Sequence, residues 1–193
     1  MAPNMNFIST FLCLVACLFF VIGCIGYSED DDAVKRASWI RVENSGSTVY
    51  YALKEVYVSG GGGGAYSDCA NLSNACEKCE EDGKSAVGLL FIAAIFAAIT
   101  AVTCGLLGQS AGQLATCYST NATMGLISVV LALIACGASL IAVSLFMGDC
   151  YDEIDDTTNE DLEWGPGAIL SLIGLLSMGF VSVLQFLSTC IWK

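Results

Sequence analysis

Four stretches of this chain, residues 7–26, 86–107, 124–147 and 167–192, contain no Asp, Glu, Lys or Arg. They run 20, 22, 24 and 26 residues. At 1.5 Å per residue, about 20 apolar residues cross the roughly 30 Å hydrocarbon core of a bilayer. A helix on a water-soluble domain keeps one polar face, whereas these stretches are apolar all round. The sequence therefore predicts an all-α membrane protein, a four-transmembrane-helix bundle in contact with lipid. A cleaved signal peptide is the alternative for the first stretch. The absence of a basic segment before it, and its long apolar run, favour a retained anchor.

Several function classes drop out at this level. Charged residues make up 13% of the chain, too few to coat a soluble globule of 193 residues. There is no histidine, which removes His-based acid–base catalysis and His-ligated metals. A net charge of −12 speaks against a nucleic-acid partner, which needs Lys/Arg stripes. Gln185 is the only carboxamide in the four spans and none holds an ionisable group, unlike pumps and proton relays. Phosphate loops, nucleophile elbows, zinc motifs and kinase signatures are all missing. The expectation is a non-enzyme with no cofactor and no metal site.

The remaining segments are tails at 1–6 and 193, and loops at 27–85, 108–123 and 148–166. The first loop carries net charge −5, the third −8, and the second none. Alternate loops of four spans share a side, so both acidic loops face the same way. Six of the seven basic residues sit in the first loop, and a literal positive-inside count would make it cytoplasmic. That loop approaches the length at which the rule weakens. Its face also collects Cys69, Cys76, Cys79 and Cys150, as in an oxidising compartment. It carries the glycosylation sequon Asn71-Leu72-Ser73 as well. These features place both acidic loops outside and both termini in the cytoplasm, with the plasma membrane as the expected location.

Within the first loop, 38–43 is β-rich, 44–46 is a turn, and 48–58 is rich in Val and Tyr. The pattern predicts a β-hairpin or part of a small extracellular sheet. The glycines at 60–64 read as a flexible crossing. Residues 69–82 read as a short helix leading into the second span. Four outer cysteines allow three pairings. The preferred one joins Cys69 to Cys79 and Cys76 to Cys150, stapling the long loop. A redox role for the C-x-x-C at Cys76 and Cys79 is an alternative, although Glu77, Glu80, Glu81 and Asp82 would disfavour the thiolate such chemistry needs. The acidic clusters lack a calcium-loop pattern and read as a solvated surface or one facing a basic partner.

Small residues recur every four positions at Ala93, Ala97, Ala101 and Gly105, which puts them on one stripe of the second span. Shorter stripes follow Ser9, Cys13 and Cys17 in the first span, and Ser128, Ala132 and Cys136 in the third. In lipid, close packing through small residues replaces the hydrophobic effect as the source of helix association. Trp164 and Trp192 bracket the fourth span and suit the two interfacial belts.

The layout resembles the claudin/peripheral-myelin-protein superfamily in its broad sense, including amastin-like proteins and claudin-like channel auxiliary subunits. The likeness lies in Trp39 after the first span and in the spacing of Cys69 and Cys79, similar to the family's loop disulfide. It extends to Leu140-Ile141-Ala142-Val143-Ser144 at the end of the third span, and to Glu163-Trp164-Gly165-Pro166-Gly167-Ala168 ahead of the fourth. Gly64-Ala65-Tyr66 stands where the family has G-L-W, so a divergent member is implied. The resemblance implies a non-enzymatic protein acting by lateral and extracellular protein contacts as a structural, adhesion or auxiliary subunit of a membrane assembly or homo-oligomer. The alternatives are an oligomeric cation-selective pore or barrier former, and a membrane thiol–disulfide oxidoreductase using Cys76 and Cys79.

Overall fold

The computed structural model describes residues 2–27, 30–44, 46–59, 62–66, 74–110, 118–158 and 162–191. Helix α1 (Ala2–Ile25) is followed by a short α2 (Asp31–Arg36) and the strands β1 (Ile40–Asn44), β2 (Ser47–Tyr51), β3 (Glu55–Val58) and β4 (Gly62–Ala65). The chain continues with α3 (Asn74–Ser110) and α4 (Tyr118–Leu145). A π-helical turn (Phe146–Cys150) leads from α4 into α5 (Tyr151–Thr158). Strand β5 (Leu162–Trp164) and α6 (Pro166–Phe186), with a second π turn (Leu187–Ile191), complete it.

Four helical segments, Met5–Ile25, Cys76–Gly108, Thr123–Asp155 and Pro166–Thr189, are long and apolar enough to cross a membrane. They form a closed ring in which α1 packs on α3 and α6, and α4 packs on the same two. The buried faces are built from small and hydroxyl residues: Ser9, Cys13, Ala93, Ala97, Thr100, Ser128, Ala132, Ser139 and Ser171. The exposed faces carry Phe7, Phe11, Leu18, Phe91, Val102, Val130, Leu176 and Phe180. A water-soluble bundle has the opposite arrangement, because there the large apolar groups are the ones that burial stabilises. Gln185 donates from Nε2 to Asn6 Oδ1 at 3.2 Å, a buried amide clasp between α1 and α6 at the end of the ring away from the sheet.

The strands form one antiparallel sheet in the order β4-β3-β2-β1-β5. Gly46 turns the β1–β2 hairpin at φ +142°, a conformation that costs L-residues but not glycine. Pairing runs Val42 to Val49 and Glu43 to Thr48. Alternation along β1 buries Ile40 and Val42 and turns Arg41 and Glu43 outward. Helix α2 is capped by Asp30, whose Oδ1 accepts from the Asp32 and Ala33 amides at 3.0 Å each, and Lys35 and Arg36 in its last turn suit the helix dipole.

Three features depart from the sequence expectations. The sheet is not drawn from the first loop alone, because β5 from the third loop pairs with β1, Ile40 opposite Trp164. Its register is set by the Gly165 amide donating to Trp39 O and the Gly167 amide donating to Ser38 O, both at 2.8 Å. Part of the glycine run is a strand rather than a loose crossing: Gly62–Ala65 hydrogen-bonds along β3. The β3 edge supplies the ladder partners, so the pairing overrides the low strand propensity of glycine. Finally, 48–58 is two strands, broken at Ala52-Leu53-Lys54, where the Ala52 amide donates to Glu55 O.

The break matters because Leu53 dips into the bundle. It is fully buried, and its amide donates to Gly26 O at 2.8 Å. Beneath the sheet, buried Trp39 meets Phe146 edge-on at 5.4 Å and donates from Nε1 to Gly23 O at 3.3 Å. Tyr66 donates its hydroxyl to Ala52 O at 2.8 Å. One continuous core thus runs from Cys13, Phe20 and Met178 in the ring to Ile40, Val42 and Ile154 under the strands.

Candidate functional site

The groups with chemical potential gather where the sheet meets the helix ends. Helix α3 extends about three turns beyond the charge-free run, and α4 continues through its π turn into α5. The two extensions lie side by side, and Cys79 is bonded to Cys150 with Cα atoms 4.9 Å apart. Both residues are buried. This corrects the expected pairing of Cys69 with Cys79 and Cys76 with Cys150. Cys76 and Cys79 share a face of α3, being three residues apart, and the position nearer the charge-free run is the one that meets Cys150. Cys76 is disulfide-bonded as well, and its partner is not Cys79, which is bonded to Cys150. The C-x-x-C pair therefore does not close on itself. The Cys79–Cys150 bond spans 71 residues, and closing a loop of that length is worth about 4 kcal/mol through the unfolded chain. It ties the two sheet-forming loops together.

The sheet face turned away from the bundle carries a row that periodicity alone does not reveal. Arg41 lies opposite Tyr50 on one side and Glu163 on the other, and Tyr50 lies opposite Tyr57. The two tyrosine rings sit 6.3 Å apart. Lys35 from α2 stands over the Tyr57 ring at 4.1 Å, and Arg41 over Tyr50 at 5.8 Å. Arg41 is also ion-paired with Glu43, and Lys35 with Asp32 at 3.6 Å. The hydrogen bond to Tyr57, with help from Asp32, raises the Lys35 ammonium pKa. Burial pushes the Tyr66 phenol, on the bundle side, well above its ordinary value. Aromatic and arginine side chains dominate the energetics of protein contacts, so the Arg41–Tyr50–Tyr57 row is a surface chemically suited to a protein partner.

The small-residue ladder faces inward: Ala93, Ala97 and Ala101 are buried, and Gly105 is half-buried beside Thr10. Trp164 lies in β5 and remains exposed. Cys69, Asn71 and Trp192 lie outside the described residues. Among the described residues no three His, Cys, Asp or Glu side chains converge as metal ligands. No protein-family model matches this chain, and no curated protein matches it.

Proposed function

We propose that this chain is a multi-pass integral membrane protein of the plasma membrane, a divergent claudin-like tetraspan without enzymatic activity. Both termini are cytoplasmic, and the sheet and acidic segments are extracellular. It acts by lateral contacts through its helices and by extracellular contacts through its sheet, as a structural, adhesion or auxiliary subunit of a membrane assembly. The observation that carries this reading is the union of two loops into one platform, paired from β1 to β5 and bonded from Cys79 to Cys150. Covalent and ladder ties between loops fix a surface in advance, which lowers the ordering entropy a partner must overcome. The pore and oxidoreductase readings draw less support. The ring interior of one chain is filled by Phe20, Met178 and alanines, so a pore would have to form between copies, and Cys79 is bonded to Cys150 rather than to Cys76.

The test is extraction in a mild detergent, then sizing and cross-linking. The reading expects co-migration with other membrane proteins or with further copies, weakened by Tyr50→Ala together with Tyr57→Ala. A chain that sizes as a lone monomer, with no cross-linked partner in intact cells, would overturn it.

A further inference from the structure

We draw no further inference here: the strongest candidate, the outer edge of β4, where Gly62 and Gly63 lie exposed at the rim of the sheet, is an unpartnered strand edge among the described residues, and nothing in the structure shows what covers it.

Discussion

Gly83 is where the sheet rests on α3, and replacing it should loosen the whole platform. A Cβ at this position would lie 1.8 Å from Leu53 O and 2.8 Å from its carbonyl carbon. Ordinary contact needs about 3 Å, so the turn must retreat by more than 1 Å, and it has nowhere to go. The Leu53 amide is held by Gly26 O, and its side chain is fully buried. Overpacking of this kind costs about 1–3 kcal/mol, and partial unseating of a buried leucine adds about 1–2 kcal/mol. The gain from removing a glycine within a helix offsets about 0.5–1 kcal/mol. The net loss is about 1–4.5 kcal/mol, or roughly 2–18 °C in Tm for a chain of this size. Gly88→Ala, five residues on, is the internal control: its Cβ meets nothing, so the same substitution should be neutral or slightly stabilising. Thermal unfolding of both variants in one detergent gives the comparison. Equal stability of the two variants would refute the close contact between α3 and the Leu53 turn.

Other consequences can be checked directly. Non-reducing peptide mapping should recover a peptide containing Cys79 bonded to one containing Cys150, and Cys150→Ser should destabilise the fold by about 4 kcal/mol; recovery of a Cys69–Cys79 peptide would contradict the packing of α3 against α5. Tyr66 should stay protonated in the native state at pH values where a free phenol near 10 has ionised. Because its folded pKa is raised, the stability it contributes is fully present below pH 10 and is lost as the pH rises beyond that, so phenolate absorbance should appear together with unfolding. Gly174→Ala places a Cβ 2.7 Å from Phe20 Cε1 and should cost about 1–2 kcal/mol, less than Gly83→Ala, because a ring can yield where backbone cannot. Asn71 should carry a glycan removable by peptide N-glycosidase from protein made in a secretory host.

The four long helices were legible because lipid-facing sides tolerate no charge, and the absence of charge over 20 residues is a signal no soluble helix imitates. The hairpin at Gly46 was legible from its turn chemistry. What escaped depends on partners distant in sequence. Gly62–Ala65 becomes a strand only because β3 lies beside it, and Leu162–Trp164 is too short to show a period. Cys76 and Cys79 share a helical face, so choosing between them requires the rotation imposed by the π turn at Phe146–Cys150. Tyr50 and Tyr57 are an odd number of residues apart, and simple alternation puts them on opposite faces. The turn at Leu53 pairs them across the β2–β3 ladder, where partners share a face.

In the proposed placement the apolar helices span a bilayer and both sheet-forming loops emerge on one side. Glu43→Cys in β1 and Glu163→Cys in β5, each exposed, test it in sealed vesicles with a membrane-impermeant maleimide. Both thiols should react from the same face and neither from the other, while buried Cys13 and Cys104 stay unlabelled in intact membranes. Labelling of the two positions from opposite faces, or release of the protein by an alkaline carbonate wash, would rule out this placement.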